Sequence, residues 1–534
     1  MARHPGDLLS GLRFALRLPS VLRRRVGHAE ALACVRERLA RRADDFLALL
    51  RDAVYAQAAH PLRRLLTHAG CTHGDVAALV RREGLEGALA ALWRAGVYLT
   101  ADELAGRRPV VRGSERFAMS AADLRNPWAV SHLVGRSGGS RSGTPTAIAL
   151  DLDALLDQLP DYRLALVAAG GGSAWAEAIW APPGSIGLAY HLRAMVAFGR
   201  PIERWFSPLA AAAPPSYDWA LRVARLASRA AGARLPLPEP LGAADPAPVL
   251  AWIEAVRRRG CTPLLGIYPS AAAQLCDAGA RAGVDLRGVR LSLRGEPLTA
   301  ARLAAAERVG AEVLSLYGAI ECGVIGHGCL RRAAADEVHL HGDLHAVIQP
   351  GQQPGGGPLP ADALLLTTLR RSARLVLVNA SLGDQAVVDE RRCDCPLQAY
   401  GWSTHLRDIR SFEKLTGMGM TFADAEVAPL LEQVLPARFG GAPTDYQLSE
   451  EEAADGGFRL CLTVHPRLGR LDEAALVDAF LLALADLSPT RRVMALAWRA
   501  AGVMRVDRSP PAATAAGKIL HFRRADAARD AATG

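Results

Sequence analysis

Residues 314–321 read LSLYGAIE, and this stretch decides the fold. An apolar, β-like run ends in a tyrosine and a glycine, with a carboxylate three residues farther on. In α/β proteins ligands gather where strands end. Gly318 lets the chain turn closely past a ligand, Tyr317 offers a flat ring, and Glu321 offers hard oxygens of the kind magnesium takes. On its own, YGxxE is any turn that pairs a glycine with a carboxylate. Its neighbours give it weight.

Upstream, residues 137–146 read SGGSRSGTPT, in which six of ten residues are Gly or Ser. Ser137, Gly138, Ser140, Ser142, Gly143 and Thr144 would offer uncovered backbone N–H groups and hydroxyls to phosphate oxygens. A short strand is expected at 147–150. Strands are also expected at 263–269 and 289–293, the second ending at Arg294-Gly295-Glu296-Pro297. A helix capped by Thr299 then returns the chain to the strand before Tyr317. Successive strands ending at turns on one edge are how a nucleotide site forms in a parallel sheet. The chain has no Gly-Lys-Ser/Thr of a Walker loop.

A length of 534 residues predicts two or three domains. No run reaches the 18 or so apolar residues of a membrane span, and the early stretch GLRFALRLP is broken by arginines, so a cytoplasmic chain is expected. The net charge of +9 suits anionic partners such as nucleotides or CoA, but with aromatics at 5% the charge is spread too thinly for a nucleic-acid platform. Lys414 and Lys518 are the only lysines among 63 basic residues, which singles out each of them. The 9 cysteines are mostly isolated, against a secreted disulfide framework. Cys393 and Cys395, separated by one residue, read as metal ligands more readily than as a disulfide.

In chain order, the loop at 137–146, RGEP at 294–297, YGAIE at 317–321, HLHGD at 339–343, LLLTTL at 364–369, Asp384, Arg410 and Gly517-Lys518 resemble one family. It is the adenylate-forming superfamily of acyl-CoA synthetases and adenylation domains, most closely its phenylacetate-CoA ligase-like branch. The resemblance spans roughly residues 115–524. It implies an α/β fold with a large N-terminal adenylate-forming domain of mixed and parallel sheets at 113–410. A helical region at 1–112 would precede it, and a small mobile C-terminal α/β lid would occupy 411–534.

The implied activity is ATP- and magnesium-dependent activation of an aromatic or hydrophobic carboxylic acid to an acyl-adenylate. Transfer to CoA or to a phosphopantetheinyl carrier protein would follow, and a homodimer is left open. Alternatives are an amide-forming or AMP-transferring ligase of the same fold, or a non-catalytic scaffold. The implied catalytic residues are Lys518 and Glu321, the latter on magnesium. ATP would be held by the 137–146 loop, by Gly295, Glu296 and Pro297, by Tyr317 and Gly318, by Asp384 on the ribose and by Arg410. Some members of the branch carry a structural zinc at places matching Cys329, His339, Cys393 and Cys395, with His327 and Cys322 as rival ligands.

The sequence departs from the family where Arg141 interrupts the phosphate loop and where Phe412 replaces the usual Asp or Lys of the hinge. Trp175, Trp180 and Tyr190 are candidates for pocket wall or core. In the lid, a strand is expected at 459–464, a helix at 473–487 and a strand at 493–498.

Overall fold

The computed structural model describes residues 5–130, 132–136, 147–172, 174–181, 185–207, 215–230, 232, 234–241, 245–353, 357–412, 414–417, 420–452, 458–514 and 517–523. Among these, a 12-stranded sheet dominates. Its strands in chain order are β1 (Trp175–Trp180), β2 (Arg204–Ser207), β3 (Pro238–Pro240), β4 (Thr262–Ile267), β5 (Arg290–Leu293) and β6 (Glu312–Ala319). They continue as β7 (Gly323–Gly328), β8 (Val338–Leu340), β9 (His345–Ile348), β10 (Ala363–Thr368), β11 (Ala380–Glu390) and β12 (Thr404–Ser411).

The spatial order is β9-β10-β11-β12-β8-β7-β6-β5-β4-β1-β2-β3. From β3 to β6 every pairing is parallel, and from β6 to β9 every pairing is antiparallel. The strand carrying Tyr317 is therefore the seam between two kinds of sheet. Parallel strands need crossovers, and helices Ala247–Arg258, Pro269–Ala282 and Ala300–Arg308 supply three of them. Each presents an apolar stripe to one core that holds Trp252, Ile253, Leu275, Leu291 and Val313.

The helical segments between Phe46 and Leu104 share a core with the antiparallel half. Phe46, Leu50, Leu65, Leu89 and Trp93 pack in one cluster with Ile325, Val338, Leu365, Leu377 and Leu406. Past these helices, Val110–Arg112 and Glu115–Phe117 form a small hairpin. β10 pairs with Ala380–Glu390, and the connection turns back through a bond from Leu377 N to Thr368 Oγ1. Asp384 thus lies within a strand.

The C-terminal part has its own core around Tyr446, Leu462, Phe480 and Trp498. Its four-stranded sheet runs Met504–Asp507, Phe458–Val464, Tyr446–Glu452, Phe522–Arg523. The helix at Glu473–Leu487 matches expectation, while residues 493–498 lie in the helix Pro489–Ala501. The run VMALAW fits either period, and Ser488 as N-cap with Pro489 behind it decides for helix.

One buried charge network docks this part on the large sheet. Arg302 donates from Nε to Glu432 at 2.6 Å and from Nη1 to Glu296 at 2.9 Å, and Thr299 also donates to Glu432. His521 bonds Glu432 at 2.8 Å and Asp424 at 3.1 Å. Burial works against a charged imidazole, but Asp424 and the two hydrogen bonds outweigh it and hold the pKa at about 9. Burial likewise opposes the Glu432 carboxylate, yet Arg302 and His521 bring it down to about 2.

Removing one partner of a buried pair leaves the other uncompensated, at roughly 3 kcal/mol. Glu432→Gln should therefore lower stability by about 3 kcal/mol in urea titration, and an unchanged midpoint would deny the network its docking role. The sign of its pH dependence follows from His521. Its folded pKa of about 9 lies above the ordinary 6.5, so its contribution is complete below the ordinary value and fades as pH rises through 9. The stability of the wild type should fall across that window, and His521→Asn should flatten the fall.

Candidate active site and metal centre

The site is built where the parallel strands end. Leu293 at the end of β5 pairs with Ser315 in β6. Two residues farther along each strand come Gly295 and Tyr317. Gly295 has φ +78, a left-handed turn that only glycine takes without strain. Its carbonyl accepts a hydrogen bond from Lys518 Nζ at 2.6 Å, and the same ammonium lies 5.1 Å from the ring centre of Tyr268. A lysine from the small domain thus rests on the turn of the large one. Ile519 N, next in the chain, donates to Ser270 Oγ at 3.2 Å and seats the loop.

At the next strand end, Tyr317 Oη donates to Asp384 Oδ2 at 2.9 Å. Beneath the pair lies an apolar cleft lined by Ile325, Val347, Leu364, Leu366, Leu382 and Leu406. After Tyr317 the chain turns in a hairpin between β6 and β7, with a register shift between Tyr317 and Gly318. Glu321 sits half-buried in its turn.

Arg410, on β12, is held by Asp336, which takes its Nη1 at 2.6 Å and the backbone N–H groups of Asp408 and Ile409 at 2.9 and 2.6 Å. Asp384 and Arg410 lie on adjacent strands, since Asp384 pairs with Ser411 and Gln385 with Arg410. The 137–146 loop lies outside the described residues. Its flanks, Leu133–Arg136 and Ala147–Leu150, form an antiparallel pair that closes at Arg136 and Ala147.

Glu296 was expected among the ATP-binding residues, but its carboxylate is committed elsewhere. It accepts from Ser270 N and Oγ, each at 2.9 Å, as well as from Arg302. Any nucleotide contact from this turn falls to its backbone and to Gly295 and Pro297. Trp180 and Tyr190 are buried in the core.

The cysteines and histidine converge as the resemblance implied. One ligand atom from each of Cys329, His339, Cys393 and Cys395 lies within 4.8 Å of the others, and all four residues are buried. His339 Nδ1 faces Trp402 O at 2.6 Å, which points Nε2 at the sulfurs of Cys395 and Cys393, 3.1 and 3.5 Å away. An imidazole with its far nitrogen fixed by a carbonyl is how metal-binding histidines are oriented. Arg391 Nη2, 3.8 Å from Cys329 Sγ, sets a positive charge beside the thiols. The donor set fits a closed tetrahedral zinc site. The rivals lie elsewhere: His327 bonds His341 at 2.9 Å, and Cys322 lies in the β6–β7 turn.

Sequence reasoning missed Arg302, Glu432, Asp424 and His521. Their separation along the chain leaves no spacing signal, although His521 follows Lys518 by three residues.

No family model matches the chain, and no curated protein matches its sequence. Among solved structures, 2-hydroxyisobutyryl-CoA ligase in the postadenylation state in complex with R3-HIB-AMP matches with a TM-score of 0.50 and 14% identity, covering 93% of this chain and 90% of that one. The same ligase with 2-HIB-AMP matches at 0.47 and 15%, again over 93% and 90%. An amide bond synthetase from Marinactinospora thermotolerans matches at 0.38 and 17%, over 94% and 99%. The first of these shows the fold alone: the chain is folded as that CoA ligase is.

A Cβ added at Gly318 would stand 2.7 Å from Gly323 O, across the hairpin. Gly318→Ala must push the two strands apart and should cost about 2 kcal/mol, as overpacking does. Thermal melting of the variant checks this, and a wild-type melting temperature would mean the hairpin yields freely.

Proposed function

We propose that this chain joins a carboxylic acid to a thiol at the expense of ATP, as an AMP-forming acid-thiol ligase of the phenylacetate-CoA ligase-like kind. One observation carries the reading: Lys518 is delivered by the small domain to Gly295, one strand away from the Tyr317–Asp384 pair. The fold shared with a CoA ligase that holds an acyl-adenylate supports it.

In the first step a carboxylate oxygen of the acid attacks the α-phosphorus of ATP. The bond to the β-phosphate breaks, and pyrophosphate leaves. Negative charge grows between the carboxylate and the α-phosphate, where an ammonium in a dry site gains most. Lys518 supplies it, and about 4 kcal/mol is available from one charge pair at 4 Å at an effective dielectric near 20. Asp384, oriented by the phenol of Tyr317, accepts the ribose hydroxyls. Arg410, anchored by Asp336, stands on the neighbouring strand, and the 137–146 loop takes the β- and γ-phosphates. Magnesium on Glu321 would neutralise phosphate charge when bound. In the second step a thiolate from CoA or a carrier attacks the acyl carbon, and AMP leaves.

Two experiments test the proposal. Lys518→Arg should reduce acyl-adenylate formation by about 100-fold, the effect of losing one oriented electrostatic group, while transfer from a supplied acyl-adenylate suffers far less. Equal losses in both half-reactions, or none, would remove Lys518 from adenylation. The second concerns the metal: Cys329, His339, Cys393 and Cys395 should hold one structural zinc. Elemental analysis of natively purified protein should find one zinc per chain, and Cys395→Ser should lose metal and thermal stability together. A metal-free wild type of full stability would end the zinc assignment.

A further inference from the structure

Behind Gly295 lies a second polar cluster that the proposed chemistry does not use. Arg294, the residue before the turn, folds back across the sheet so that a Cβ on Gly266 of β4 would overlap its Nη2. Its guanidinium carbon lies 3.5 Å from the ring centre of Tyr190. Arg193, on the helix Ser185–Phe198, approaches the same ring at 5.8 Å and that of Tyr162 at 5.9 Å. The ring of His327 is 6.4 Å from that of Tyr162, and its buried Nε2 has no hydrogen-bond partner among the described residues. The cluster adjoins the proposed active site through the backbone, because Arg294 precedes Gly295, where an added Cβ would stand 3.1 Å from Tyr268 and 3.3 Å from Lys518 Nζ.

Neither Arg193 nor Arg294 makes a hydrogen bond to an acceptor among the described residues, and the carboxylate that faces them both is Glu177. Stacking on tyrosine satisfies the face of a guanidinium but none of its five in-plane N–H donors. Glu177 is the nearby acid, and it is engaged by Tyr162 Oη at 3.4 Å. Two like charges side by side with no acceptor are unfavourable unless something anionic completes them. Gly266 leaves the room that the Arg294 side chain takes as it lies across the strand.

We propose that the acid substrate carries a second anionic group, a carboxylate received between Arg193 and Arg294, with His327 as a further polar contact, while its reacting carboxylate lies at Lys518. This rests on the ligase reading and narrows its substrate to dicarboxylic acids. The state of Glu177 agrees with it. Burial pushes its pKa up to about 7 even with Arg294 and Arg193 near, so near neutral pH it offers these arginines only part of a charge.

The test is pyrophosphate release by the full chain with ATP and magnesium over matched pairs of acids: α,ω-dicarboxylates and phthalates, each against its monocarboxylate counterpart. A dicarboxylate should exceed its partner in kcat/KM by at least about 30-fold, the scale of one charge-assisted pair. Arg193→Gln and Arg294→Gln should each bring that ratio toward one, and Arg193→Lys should keep part of it. Calorimetry of the wild type with the best dicarboxylate against its monomethyl ester reads the second anion without any variant. Turnover of monocarboxylates at equal or higher rates overturns the second-anion proposal and leaves the ligase reading intact. Tight binding of the dicarboxylate over its ester, without pyrophosphate from any acid, does the reverse. Neither binding nor turnover sinks both.

Discussion

Strand β6 is bonded in parallel on one side and antiparallel on the other, and the geometry of the site depends on that double pairing. Parallel ladders carry evenly slanted bonds, whereas antiparallel ladders alternate narrow and wide pairs. A strand obliged to satisfy both keeps register with β5 only as far as Ser315 and then shifts against β7 at Tyr317 and Gly318. The shift, a β-bulge, re-aims the side chain beside it. Tyr317 consequently reaches Asp384 of β11, four strands away in the sheet, and not an immediate neighbour. The sheet's change of character therefore places a phenol and a carboxylate together at the edge where the parallel strands end.

Once that edge is fixed, the small domain must meet it without slack. Apolar packing alone would tolerate sliding. Buried charges do not, because a displaced pair leaves uncompensated ions in a poor solvent for them. Arg302 is gripped from the large domain by Glu296 and from the small one by Glu432, and His521 and Asp424 extend the chain of opposite charges. Glu296 belongs to the turn that offers its Gly295 carbonyl to Lys518. Docking and delivery of the lysine are thereby parts of one contact.

The fold was legible in the sequence because strand ends, glycine turns and capping residues are local signals. Thr299 is the N-cap expected, and the helix at 473–487 falls where its periodicity puts it. Where two local signals compete, reading failed. VMALAW fits a strand or a helix, and Ser488-Pro489 settled it. The four buried metal-site residues were legible only through motif order, since Cys329 and Cys393 are far apart in sequence and adjacent in space. The docking network was invisible. Glu432 looks like any helix carboxylate until Arg302, 130 residues away, is placed against it. Likewise Arg294 was visible as part of RGEP, but nothing in the sequence says that Gly266 clears its path.

The division of labour between the two basic side chains completes the argument. With only two lysines in the chain, arginine is the default cation. Guanidinium suits forks and stacks: Arg302 between two carboxylates, Arg467 on Asp445 and Asp277, Arg294 on the face of Tyr190. The position of Lys518 is different. Its Nζ lies where a Cβ on Gly295 would come within 3.3 Å, with the Tyr268 ring on the other side. A planar fork of five donors suits such a slot less than a compact ammonium does, and here the ammonium bonds the Gly295 carbonyl. A point charge held between one carbonyl and one ring face is an arrangement that suits lysine and not arginine.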